Sequence, residues 1–338
     1  MKLTKKIMLG LAAIGVASAV NAADLTLTIG HVDPQDWTTS KKGAATEVFK
    51  NLVEAQTGGH IKVNIYPSGQ LGNETDLVQS TQDGTLSMTM VSGAFAKVCK
   101  AASVLEIPYL FPSAPVAWQV LDGSFGKALA KHCLEKTGLR TLAYGETGFR
   151  NFTNSKRPVA QPSDLKGLKI RVMTLPLYVE MVKALGAEPT PIAWPEVPAA
   201  LTTGVVDGEE NPVSVIDANK LYESQKYLTL DHHVYSTDFL LINEKVYESL
   251  SQKDKEIVNN AAIVAGTVGR AIQEFNSAKG LKSLAAHGMK ITTPNAQQLA
   301  EFRKAAQPAV IKWLKGQVNP QWITRVQVAV KKAIANQQ

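Results

Sequence analysis

Arginine is scarce in this chain, with seven residues against twenty-nine lysines, so the places where it stands are informative. Arg171 lies inside the apolar run Leu168-Lys169-Ile170-Arg171-Val172-Met173. A bare charge in such a strand is very costly to bury, and the planar guanidinium fork matches a carboxylate through two parallel hydrogen bonds. Capture of an acid group fits that chemistry; an internal salt bridge, or a head that snorkels to an edge, would meet the same cost. Arg150 stands in Gly145-Glu146-Thr147-Gly148-Phe149-Arg150-Asn151-Phe152-Thr153. Asn211 follows Val206-Asp207-Gly208-Glu209-Glu210, which reads as a turn rich in acids and glycine. Its amide offers two donors to a carboxylate or hydroxyl oxygen, although Asn-Pro is also ordinary turn chemistry. His31 follows the first strand, where sheets of this kind place their ligands.

Signatures of catalysis are missing from the sequence. It contains no HExxH, no P-loop, no G-x-S-x-G elbow and no GxGxxG after the first strand. Asp207, Glu209 and Glu210 crowd one turn and do not converge on a single substrate atom, so a secreted acid–base enzyme is disfavoured and no catalytic residue is expected. His232 and His233 are adjacent, hence on opposite faces of a strand and poorly placed to share a metal. Two cysteines, Cys99 and Cys133, are too few for a thiolate metal site. In an oxidising compartment they form either one disulfide or two buried thiols, and spacing does not choose. Neither metal nor cofactor is expected.

These residues must be carried by a sizeable fold. With 338 residues the chain has room for about two domains, and 45% hydrophobic content suffices for a core. Leu25–Ile29 and Ile61–Tyr66 alternate as strands, and Ser87–Val91 reads as a third. Between them, helical spacing of Ala45, Val48, Phe49, Leu52 and Val53 stops at Gly58-Gly59, and Thr75–Gln82 reads as a second helix. The β-α-β-α-β order predicts a parallel sheet with helices on both faces. Further strands are expected at Leu139–Tyr144, Leu168–Met173, Tyr227–Leu230 and Phe239–Ile242, and helices at Leu177–Leu185 and Glu196–Thr203. From Lys253 to about His287 apolar residues recur every three or four positions without a proline. A helix that long spans roughly 40–50 Å, more than one compact domain needs. No linker separates the halves, which suits a chain that crosses between domains several times.

The amino terminus sets the compartment. Lys2, Lys5 and Lys6 precede an apolar stretch, Ile7 to Val20, and Val20-Asn21-Ala22 supplies small residues for cleavage. This is the layout of a secretory signal peptide, residues 1–22. No later segment reaches the ~18 consecutive apolar residues of a membrane span, so a soluble exported protein is expected. Three of the +7 formal charges lie in the leader, which holds no acid, leaving +4 on the rest. Scattered lysines without interleaved aromatics make nucleic acid an unsuitable partner.

Several separate motifs, in order along essentially the whole mature chain, resemble the substrate-binding proteins of tripartite ATP-independent periplasmic (TRAP) transporters. They are Tyr66-Pro67-Ser68-Gly69-Gln70-Leu71-Gly72, then Gly148-Phe149-Arg150, then Asp164-Leu165-Lys166-Gly167-Leu168-Lys169-Ile170-Arg171-Val172. The run from Ala200 to Pro212 matches the family's AL-x-x-G-x-V-D-G-x-E-N-P pattern. The resemblance implies an α/β fold of the two-domain periplasmic binding protein type, with a long helix spanning both domains and a ligand cleft between them. It implies domain I from 23–147 plus 236–277 and domain II from 148–235 plus 278–338. Arg171 maps to the family's main carboxylate contact, with Arg150 and Asn211 beside it. Trp194 maps to an aromatic cleft wall, and Ser92 to the first-domain lining. Sialic-acid-binding members commonly carry an acid where Ser92 stands, which points away from sialic acid. The implied function is periplasmic capture of a small organic acid (a C4-dicarboxylate, sugar acid or 2-oxo acid) by a monomer that delivers it to the TRAP membrane subunits. A ligand sensor and a binding protein of an ABC importer are the rival readings within this architecture.

Overall fold

The computed structural model describes residues 25–337; the expected leader, residues 1–22, lies outside them. The chain begins with Leu25–Gly30 (β1), Lys41–Gln56 (α1), Ile61–Tyr66 (β2), Glu74–Asp83 (α2) and Met88–Val91 (β3). Leu27 and Ile29 point from β1 into the core while alternate residues face outward. Ser40 caps α1 by accepting from the Gly43 amide, and Asn73 and Asp76 close a reciprocal capping box on α2. Ala114–Asp122 (α3), Ser124–Thr137 (α4) and the long strand Leu139–Asn154 (β4) follow. Next come Lys169–Val172 (β5), Pro176–Ala184 (α5), Glu188–Pro191 (β6), Val197–Thr202 (α6), Gly208–Asn211 (β7) and Val213–Ala218 (α7). A second long strand, Tyr227–Asn243 (β8), leads to Glu244–Glu248 (α8), Gln252–Ala286 (α9), Lys290–Thr292 (β9), Ala296–Leu314 (α10) and Pro320–Ala335 (α11).

The strands form one mixed sheet in the order β2-β1-β3-β8-β4-β7-β5-β6, with β9 on β8. β1 runs parallel to β2 and β3, and β5 runs parallel to β6 and β7. The antiparallel pair β4 and β8 holds these two parallel groups together. β3 pairs with Phe239–Ile242 at one end of β8, and β7 pairs with Asn151–Asn154 at the far end of β4. The α/β class and the long helix are as the sequence predicts. α9 has 35 residues and supplies Val258, Ala261 and Ala265 to the core over β1–β3 and Leu284 to the core around α6 and α7.

Three expectations are corrected. The strand predicted at Leu139–Tyr144 continues to Asn154, through Gly145 and Gly148, because β8 pairs with it along its length across three register shifts. The two strands predicted at Tyr227–Leu230 and Phe239–Ile242 are one. The Gly208–Glu210 segment, read as a turn, is a buried strand whose carboxylates find partners inside the fold. α11 packs on α3 and α4, burying Trp322, Ile323 and Val326, with the Trp322 ring against Phe125. Cys99 and Cys133 are joined in a disulfide, tying the segment before α3 to α4.

Candidate functional site

The carboxyl ends of β1, β3, β5, β6 and β7 converge on one cleft, the place where open α/β sheets hold ligands. From the first half come Asp33, Lys41, Lys42, Glu74 and Ser92; from the second come Arg171, Thr174, Trp194 and Asn211; Thr147 and Arg150 of β4 stand between them. The cavity measures about 60 Å³, room for only a handful of waters at roughly 10–15 Å³ each. Its two walls therefore stand close together.

Arg171 is 3% exposed. Its Nε and one terminal nitrogen donate to the Ile192 carbonyl at 2.9 and 2.7 Å. Among the described residues no carboxylate lies within the 4.0 Å of an ion pair. Burial lowers its pKa to about 10, and the charges of Glu210, Glu209 and Glu74 offset this only in part. The Trp194 ring lies 5.8 Å from the guanidinium carbon, which gives the charge one aromatic neighbour.

The other three cations of the cleft are already matched. Arg150 donates to Glu210 through Nε and through a terminal nitrogen at 2.9 Å. Glu210 also meets His233 Nε2 at 3.2 Å, and His233 Nδ1 meets Asp231 at 3.0 Å. Burial works against charge on His233, but Asp231 and Glu210 outweigh it and raise the ring to about 9. Lys41 pairs with Asp33 at 2.7 Å. Lys42 pairs with Glu74 at 2.7 Å and with Asp238 at 3.5 Å. Burial raises the cost of the Glu74 charge, yet Lys42 and the Ser92 amide and hydroxyl hold its pKa below the ordinary value.

Five of the six sequence-predicted residues, Arg171, Arg150, Asn211, Trp194 and Ser92, line this cleft. His31 does not: its ring is fully buried behind the wall, with Nε2 at 3.0 Å from Gln35 Oε1 and 3.3 Å from Thr46 Oγ1. Burial lowers its pKa to about 4, so at neutral pH it brings no charge. Asn211 donates to Glu209 Oε2 at 2.5 Å, and Thr153 donates to the other oxygen of Glu209 at 2.8 Å. Sequence reasoning missed Lys42, Glu74 and Thr147. A signal for the lysines exists: Lys41 and Lys42 open α1 with no acid in its first turn, where the helix dipole disfavours cations. Among the described residues no cluster of histidine, cysteine or carboxylate suited to a metal is present, and no helix is long and apolar enough to cross a membrane.

Residues 29–316 match the family described as bacterial extracellular solute-binding protein, family 7 (DctP). A solute-binding protein of Verminephrobacter eiseniae is 37% identical over 316 residues, covering 89% of this chain and 93% of its own. The 2,3-diketo-L-gulonate-binding periplasmic protein YiaO of Escherichia coli is 34% identical, covering 84% of this chain and 85% of its own. A TRAP periplasmic solute-binding protein from Polaromonas sp. JS666, solved bound to D-erythronate, superposes with a TM-score of 0.84 at 36% identity, covering 90% of this chain and 98% of its own.

Proposed function

The chain belongs to family 7 of the bacterial extracellular solute-binding proteins, the binding components of TRAP transporters, and from that membership we propose that its cleft captures a polyhydroxylated monocarboxylate for delivery to the membrane subunits. The observation that carries this reading is the buried Arg171 guanidinium, which faces the cleft with no carboxylate of the described residues within the 4.0 Å of an ion pair. A ligand carboxylate supplies the missing charge, and Asn211, Arg150 and Trp194 frame it. Lys41, Lys42 and Arg150 are each paired with an acid, so among the described residues of the cleft a second carboxylate on the ligand finds no free cation. It meets Asp33 and Glu74 instead, which accept hydrogen bonds from hydroxyl groups and repel anions. That arrangement favours a sugar acid over a C4-dicarboxylate. The relatives point the same way, since 2,3-diketo-L-gulonate and D-erythronate are both hydroxylated monocarboxylates.

The family's place is the periplasm, and the basic, apolar and small-residue layout of residues 1–22 supports export by a cleaved leader. The crossing strands suggest two bodies, β1–β3 with their helices and β5–β7 with theirs, hinged where β4 and β8 pass between them at 145–150 and 231–238. A monomer suits a protein that visits a membrane partner.

Isothermal titration of the purified chain with D-erythronate, D-galactonate and succinate tests the reading. A charge-assisted hydrogen bond is worth about 1.5–3 kcal/mol, so Arg171→Met is expected to weaken sugar-acid binding at least tenfold. Near-normal affinity in that variant would remove the carboxylate assignment. Tighter binding of succinate than of the sugar acids would overturn the ligand class.

A further inference from the structure

β4 separates two cavities. Arg150 lines the cleft, whereas its neighbour Phe149 lines a second groove of about 750 Å³. The segment before α3, the crossing strands, α9 and α10 all contribute to this groove, so both halves of the molecule form its walls. Its floor is aromatic and apolar: Tyr109, Phe111, Phe149 and Leu299. Arg303 and Lys304 of α10 stand exposed at its rim. Among the described residues neither has a carboxylate within the 4.0 Å of an ion pair. Arg303 leans over the Tyr109 ring at 5.8 Å.

Two acids also line the groove, and one is committed. Asp231 accepts from the Tyr109 hydroxyl at 3.2 Å and lies 3.0 Å from His233 Nδ1. Glu274 reaches in from α9, near the buried Glu146. Arg303 and Lys304 therefore outnumber the one uncommitted acid, and the balance of charge in the groove is positive. The wall is also strained: Tyr109 and His232 are non-glycine residues with φ of 55° and 48°, and the Tyr109 amide bonds the His233 carbonyl at 2.8 Å. Such conformations cluster where a protein shapes a binding surface.

We propose that this groove is a second ligand site, separate from the cleft, that takes a planar aromatic monocarboxylate. The ring lies on Phe149, Tyr109 and Leu299, and the carboxylate reaches Arg303 and Lys304. The site is independent of the sugar-acid reading because it shares no lining residue with the cleft.

The test is a titration of the isotopically labelled full chain with 2-naphthoate, followed by amide chemical shifts, with neutral 2-naphthamide alongside. Saturable shifts centred on Tyr109, Phe149, His232 and Arg303 are expected. The exposed double variant Arg303→Glu/Lys304→Glu should bind at least fivefold more weakly, 2-naphthamide should bind more weakly than the acid, and Arg171→Met should bind as the parent does. Shifts confined to the cleft, equal affinity in the charge-reversed variant, or absence of saturation would overturn the proposal. Loss of 2-naphthoate binding in Arg171→Met would also overturn it, by placing the probe in the cleft.

Discussion

Arg150 and Arg171 are both almost fully buried, 2% and 3% exposed, yet they differ in what they already hold. Arg150 neutralises Glu210, itself part of the chain through His233 to Asp231. Removing one member of a buried pair strands the other charge, at a cost of about 3–5 kcal/mol. Arg150→Met is therefore expected to lower the unfolding free energy by that amount in urea titration, whether or not ligand is present. Arg171→Met removes a charge with no carboxylate of the described residues in ion-pair reach, so without ligand its stability should equal or exceed the parent's. A large loss in Arg171→Met, or none in Arg150→Met, would show that the two roles are exchanged or shared. The residue types at this scale were legible, because an arginine in an apolar strand demands a partner. Which of the two arginines already had one was not, since Glu210 lies 60 residues from Arg150.

At the scale of elements, the cleft depends on how closely β7 approaches β4. Gly208 opens β7, and a Cβ there would fall 2.1 Å from the Thr153 carbonyl oxygen and 3.0 Å from Ile170. Backbone cannot give way as a flexible side chain does. Gly208→Ala should cost about 1–3 kcal/mol, as overpacking does, and should weaken acid binding by displacing Asn211 at the other end of the same four-residue strand. Unchanged stability and unchanged affinity would show that β7 can move without disturbing the site. The strand escaped sequence reading because Gly-Glu-Glu-Asn has neither apolar alternation nor branched side chains. Pairing with β4 and β5 and internal carboxylate partners make it a strand, and those are properties of the assembled sheet.

For the whole molecule, the narrow cavity and the two parallel groups joined by β4 and β8 argue for a hinge that opens to admit ligand. A ligand shifts such an equilibrium only by binding the closed form more tightly, and here both halves supply contacts. Small-angle X-ray scattering should show a smaller radius of gyration at saturating sugar acid than without it, with no such change in Arg171→Met. An identical profile with and without bound acid would rule the hinge out. At about 100 times its dissociation constant the acid should also add roughly 2.7 kcal/mol of stability, which separates a rigid binder from a failure to bind.

The alternation of strands and helices, the 35-residue helix, the export leader as an expectation and the scarce arginines were available from the residue order alone. Each of these rests on local periodicity, composition or the cost of an unpaired charge, and each survives without knowing what lies nearby. The length of β4 and β8, the state of Cys99 and Cys133, the burial of His31 behind the wall and the matching of Lys42 with Glu74 and Asp238 were decided only in the tertiary structure. These are contacts between residues far apart in the chain, and Lys42 meets Asp238 only because β8 returns across the sheet after nearly two hundred residues. That Arg171 is, among the described residues of the cleft, the cation without a carboxylate in ion-pair reach is visible only once the other pairs have been made.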